Sequence, residues 1–237
     1  MRPDEHQRMH AFEDHYWWFV GRKRIIATLL NSHLPPAAHR RLLDVGCGSG
    51  ATLQTLLQFG DAYGLDPFAS AISLSQARGL NHLIRGDAVR LPFEAGSFEV
   101  VTALDVIEHI ADDSAAVHEM VRVLAPEGSL LLAVPAYQFL WSQHDIALSH
   151  YRRYTATGLR RLVEGAGLKV VRLTYCITFL LPFAIALRLG ERLLPRRADP
   201  HCALIELPPS LNRACLRTLE WEAALLSRIS LPAGVSV

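Results

Sequence analysis

"RLLDVGCGSGATL" (residues 41–53) sets three glycines, Gly46, Gly48 and Gly50, at alternate positions behind a short apolar run that carries Asp44. An apolar run, a bare turn and then a helix-compatible segment (51–59) read as a strand leaving a sheet through glycines into a helix. Without Cβ atoms, such a turn can take positive φ and let a ligand lie against the backbone. Outward from this stretch the same alternation continues. The apolar runs "AYGLD", "HLIRGD", "FEVVTALD", "SLLLAV" and "LKVVRLTY" are separated by helix-length segments at 67–78, 113–124 and 155–166. Continuous apolar strands divided by helices predict an α/β fold, a doubly wound, mostly parallel sheet covered on both faces. Ligands of such sheets bind beyond the carboxyl ends of the strands, where the glycine turn lies.

The glycines alone do not choose the ligand, because "GCGSGA" also satisfies the dinucleotide pattern. Three acids do more. A carboxylate at Asp44 facing a pyrophosphate about 6 Å away would be repelled by about 3 kcal/mol at an effective dielectric of 20, whereas a ligand ammonium would be attracted. Asp66 ends the second run before Pro67, where a carboxylate accepts both hydroxyls of a ribose. Asp87, followed by Ala88, ends the third and can accept from an adenine amino group. Ammonium, ribose and adenine in that order describe an adenosyl amino acid, so S-adenosyl-L-methionine fits and NAD does not.

At this point "LLDVGCGSG", "YGLDP", "GDAVRLPFEAGSFEVVTALDVIEHI" and "EMVRVLAPEGSLLLAVP" together resemble the successive motifs of class I S-adenosylmethionine-dependent methyltransferases. The resemblance covers roughly residues 40–175. It implies a Rossmann-like seven-stranded sheet of order 3-2-1-4-5-7-6 with an antiparallel last strand, incomplete here because "GVSV" is only a fragment. It also implies cofactor contacts from Asp44, Gly46, Cys47, Gly48, Gly50, Asp66, Pro67, Asp87, Ala88, Leu104 and Asp105. An N-terminal helix over the cofactor mouth would add Arg22, placed to bind the cofactor carboxylate. The spacing Asp105–Glu108–His109 resembles the acid-x-x-Glu-His motif of quinone-pathway O-methyltransferases, where these residues can hold a divalent metal. Helix capping explains the same residues without an ion, and no metal is expected.

The acceptor is expected at "PAYQFLWSQHDIALSHYRRYT" (135–155), which leaves the fifth strand on the carboxyl edge and is too long for a simple connection. Its His144–Asp145 neighbours and His150 are the catalytic candidates, since an imidazole can take a proton from a hydroxyl as a methyl group arrives. Arg152 and Arg153 suit an anionic acceptor. "HYWWFVGR" and "HDIALSHYRRY" resemble methyltransferases that act on glycans, polyketides or lipid-linked intermediates. The reading is therefore O-methylation of a small-molecule, glycan or lipid-linked acceptor. The alternatives are an NAD-dependent dehydrogenase and a non-catalytic binding subunit with the methyltransferase fold.

The totals limit the partners. With 24 Lys plus Arg against 23 Asp plus Glu, the net charge is +1, which excludes the clustered basic footprint of a nucleic-acid binder. The four cysteines show no metal spacing, and "MRPDEHQRMH" carries no apolar signal segment, so the cytoplasm is the default location. "LTYCITFLLPFAIAL" (173–187) has no charge but is shorter than the roughly 20 residues of a bilayer span, and Pro182 interrupts it. It reads as core or interface, with membrane-surface contact the less favoured reading and a homo-oligomer compatible. The expected division is an N-terminal helical lid (1–39), a cofactor-binding core (40–175) and a C-terminal apolar helical extension with a partial last strand (176–237).

Overall fold

A computed structural model describes residues 3–34, 39–193 and 206–237. Parts of the expected helical lid and of the C-terminal extension, Cys202 included, lie outside these residues. In chain order the elements are α1 (Pro3–Phe12), α2 (Trp17–His33), β1 (Arg41–Val45), α3 (Ala51–Leu56), β2 (Asp61–Asp66), α4 (Ala69–Ala77) and β3 (Leu83–Arg85). They continue as β4 (Phe98–Leu104), α5 (Asp113–Val123), β5 (Leu124–Ala133), α6 (Gln143–Ala147), α7 (Ala156–Gly165), α8 (Leu181–Leu193) and α9 (Pro209–Leu226).

The five strands pair in parallel in the order β3-β2-β1-β4-β5. β1 is central and its apolar side chains are buried on both faces, which is why its sequence runs apolar instead of alternating. Leu42 packs with Ile26, Leu30, Leu53 and Leu56 on one face, and Leu43 and Val45 pack with Val101, Val117 and Met120 on the other. Each such buried side chain contributes roughly 1.5–3 kcal/mol relative to exposure. The helices of the two chain ends meet: Ile25 of α2 packs against Ala223 and Leu226 of α9.

The sheet departs from the seven-stranded expectation. Beyond β5 the last two strands reduce to isolated antiparallel bridges, Pro135 with Ser236 and Cys176 with Ser236. Val134 and Val237 exchange both backbone hydrogen bonds, at 2.9 and 3.0 Å, so 235–237 lies between β5 and Tyr175–Cys176. A Cβ at Gly234 would sit 2.2 Å from the Cys176 carbonyl oxygen, so only glycine permits this approach. The expected strand "LKVVRLTY" does not form, and Val171 within it is 83% exposed. An outer edge with so short a partner cannot bury a continuous apolar run. Pro182 is a second departure: it opens α8 within the first turn, where a missing N–H costs nothing, instead of interrupting a segment. No helix among the described residues is long and apolar enough to cross a membrane.

Candidate active site

The carboxyl ends of β1, β2 and β4 open into one cavity of about 1110 Å³, roofed by α1 and α2 and extended by α8 and α9. At one end Gly46, Cys47, Gly48, Asp66, Pro67, Asp87 and Ala88 line the wall, with Leu104 and Asp105 beside them. Gly48 adopts φ +56°, and a Cβ there would meet nothing within 4 Å, so the turn presents bare backbone to open space.

The turn's amide groups are already committed. Gly46 and Cys47 both donate to the Leu65 carbonyl, at 2.7 and 3.0 Å, and Gly50 donates to Cys47. Gly48 donates to Asp66 Oδ2 at 3.0 Å, while Asp66 Oδ1 accepts from the Phe68 amide at 2.9 Å. A phosphate cradle needs such amides aimed at the ligand. Here the amides of Gly46, Cys47, Gly48 and Gly50 all have partners within the fold, which speaks against the dinucleotide alternative. Asp66 is only 5% exposed yet lines the cavity, as a ribose acceptor must.

Three residues expected at the site stand behind its wall. Asp44 is turned toward β4 and accepts the Thr102 hydroxyl at 2.6 Å, consistent with their side-by-side register. It does not line the cavity, and it stands directly behind the Val45–Gly46 wall. Gly50 faces Leu80 and Ser75 and serves helix packing. Asp145 lies beneath His150.

Burial pushes the Asp44 carboxyl up to about 7, with the nearby Asp66 charge adding to the shift and the Thr102 hydroxyl opposing it. An acid whose folded pKa exceeds its unfolded value holds its proton better when folded. Its contribution is greatest at low pH and is lost as pH rises toward the folded value. Asp44→Asn should therefore gain stability relative to wild type between about pH 4 and pH 8. Urea midpoints measured at both ends check this, and a pH-independent difference contradicts it.

The N-terminal helices close over the turn through fixed polar contacts. Glu13 accepts from the Ser49 hydroxyl and pairs with Arg78 at 3.0 Å. Arg22 lines the cavity but pairs with Asp105. The expected role of Arg22 toward the cofactor carboxylate thus competes with an ion pair already made. Trp17 and Trp18 line the same roof.

At the far end, the loop after β5 brings His144 and His150 to the wall beside Glu108 and His109. The neighbour pair expected in sequence, His144–Asp145, is replaced by Asp145–His150: Asp145 Oδ1 and His150 Nδ1 are 2.9 Å apart. A carboxylate can only accept, so the neutral ring carries its proton on Nδ1 and its lone pair on Nε2. Burial alone would raise the Asp145 carboxyl, but hydrogen bonds from His150 and Arg153 hold it well below the usual carboxylate range. Burial holds the His144 and His109 imidazoles down at about 4, so both are neutral near pH 7. Arg153 is bound by Asp145, and Arg152 pairs with Asp113 at 3.0 Å, so both arginines expected to grip an anion are occupied within the fold. Sequence reading missed the acceptor-side wall of α8 and α9, including Phe183, Leu187 and Leu211. Its signal was the uncharged 173–187 stretch, read there as core or interface.

The methyltransferase-domain family matches residues 43–132, from within β1 to near the end of β5. Residues 43–132 are thus a methyltransferase domain. Among curated relatives it is 31% identical to norajmaline N-methyltransferase of Rauvolfia serpentina, over 45% of this chain and 39% of that protein. It is 31% identical to a probable S-adenosylmethionine-dependent methyltransferase of Mycolicibacterium smegmatis, over 67% of this chain and 61% of that one. The chain thus spans about two fifths to three fifths of these relatives' lengths. The fold of YcgJ from Bacillus subtilis is similar, with a TM-score of 0.55 and 22% identity over 62% of this chain and 68% of that one.

Proposed function

We propose that the protein transfers the methyl group of S-adenosylmethionine to a hydroxyl of a small-molecule, glycan or lipid-linked acceptor. The observations that carry the donor assignment are the match of residues 43–132 to the methyltransferase-domain family and the place of Asp66, on the cavity wall beside the bare Gly48 turn, where it can take a ribose. When bound, the donor supplies a sulfonium-activated methyl group. The protein's own tasks are alignment, water exclusion and removal of the acceptor proton. Asp66 and Asp87 orient the nucleoside, and α1 and α2 exclude water. The proton of the acceptor hydroxyl passes to an imidazole of the far wall, His144 or His150, with Asp145 fixing the His150 ring as a positioning residue.

Hydroxyl acceptors are favoured because a hydroxyl must lose its proton as the bond forms, and this wall is built around imidazoles. Trp17, Phe183, Leu187 and Leu211 give the acceptor end an apolar surface, which supports an acceptor with an apolar body. The relative from Rauvolfia serpentina is named an N-methyltransferase, which keeps amines as the second reading. Release of S-adenosylhomocysteine, followed by mass spectrometry across matched hydroxyl and amine acceptors with and without an apolar chain, tests both. Turnover on apolar hydroxyl compounds is expected, and turnover confined to amines would overturn the oxygen assignment.

A further inference from the structure

We infer that Glu108, His109 and His150 form a binding site for one divalent transition-metal ion at the acceptor end of the cavity. This rests on reading the cavity as a methyl-transfer site. One ligand atom from each residue lies within 4.8 Å of the others, and all three residues belong to the cavity lining. Only modest side-chain movement would bring such atoms to the spacing of ligands around an ion about 2.1 Å from each.

The polar atoms here want a partner that the protein does not supply. Glu108 is fully buried, and neither carboxylate oxygen has a hydrogen-bond partner in another residue. A buried carboxylate without a partner is costly. Both nearby guanidinium groups are committed, Arg22 to Asp105 and Arg153 to Asp145. Protonation would remove the charge but leave the resulting O–H without an acceptor. His150 Nε2 is likewise buried without a partner, in a side chain 5% exposed. A cation between these groups satisfies the carboxylate and the lone pair at once.

The surroundings match a ligand shell. His150 is held through its other nitrogen by Asp145, the carboxylate–histidine arrangement that orients metal-binding imidazoles. The His109 and His150 rings stand edge to face, 85° apart with centroids at 4.5 Å, so the two imidazoles are already neighbours. Two imidazoles and one carboxylate suit zinc, manganese or ferrous iron over magnesium or calcium, which prefer oxygen-only ligands. The sequence had suggested Asp105 as the third ligand beside Glu108 and His109. In the structure Asp105 is taken by Arg22, and His150 stands in its place.

An ion held by these residues would supply positive charge that favours loss of a proton from an acceptor hydroxyl at this wall. With His150 a ligand, the proton leaving that oxygen passes to His144, the other imidazole of this wall. The oxygen then forms its bond to the methyl carbon as the carbon–sulfur bond breaks and S-adenosylhomocysteine departs.

Tag-free protein, stripped with chelator, is titrated with Co2+ and followed by visible absorption, and with Zn2+ by calorimetry. One ion per chain is expected, with the absorption of a low-coordinate site. Glu108→Gln and His109→Ala should each weaken binding more than about tenfold, at least the loss seen when an outer-shell partner is removed. S-adenosylhomocysteine calorimetry on the same variants is the folding control, and unchanged affinity there shows the cofactor end intact. No saturable ion binding by the wild type, or binding that both substitutions leave unchanged, overturns the metal site. Failure of the wild type to bind S-adenosylhomocysteine would instead overturn the methyl-transfer reading, independently of the ion.

Discussion

Replacing Asp66 with alanine should weaken S-adenosylhomocysteine binding by about 30- to 1,000-fold, or about 2–4 kcal/mol, the scale of charge-assisted hydrogen bonds lost from a largely buried carboxylate. Asp66 ends β2 inside the cavity, and it also receives the Gly48 and Phe68 amides. Alanine would therefore remove the ribose acceptor and loosen the turn that shapes the site. Calorimetry against Asp61→Ala, an exposed acid at the opposite end of the same strand, separates the two ends of β2. Equal affinity in the two variants would remove the ribose assignment.

The second large effect falls on stability. Asp145 is fully buried and binds Arg153 through both carboxylate oxygens, at 2.7 and 3.0 Å, as well as His150 and the Ser142 amide. Asp145→Ala would strand an Arg153 side chain only 6% exposed, with no carboxylate beside it. Breaking a buried pair from one side costs about 3–5 kcal/mol, which in a chain of this size lowers Tm by roughly 6–20 °C. The folded carboxyl is held below its unfolded range, so its contribution is present at neutral pH and is lost as pH falls below the usual carboxylate values. Thermal unfolding should show the gap between wild type and variant narrowing in acid. A loss under about 1 kcal/mol at neutral pH would mean that this network does not hold the acceptor loop.

The parallel core was readable because its signals are local. The runs around Leu42–Val45 and Val100–Ala103 are apolar over lengths that suit strands buried on both faces, and 113–124 differs from α5 by one residue. Asp66 and Asp87 were readable because the end of a parallel strand is the position from which a side chain meets a ligand. The sheet edge was not readable. Whether "LKVVRLTY" or "GVSV" forms a strand depends on what lies beside it, and here the first finds one isolated bridge and the second two.

Residue order thus established the α/β class, the glycine turn and the acid at the tip of β2, since each follows from periodicity and from backbone freedom within a few neighbouring residues. Folding in three dimensions assigned the partners. Asp44 is bound to Thr102 of β4, Arg22 crosses from α2 to Asp105, and Asp145 reaches past its neighbour His144 to His150. Such pairings depend on strand register and on the direction in which each side chain leaves the backbone, and they join residues as much as 83 positions apart. No local pattern encodes them, because their energy exists only once the packed core has expelled water from between the groups.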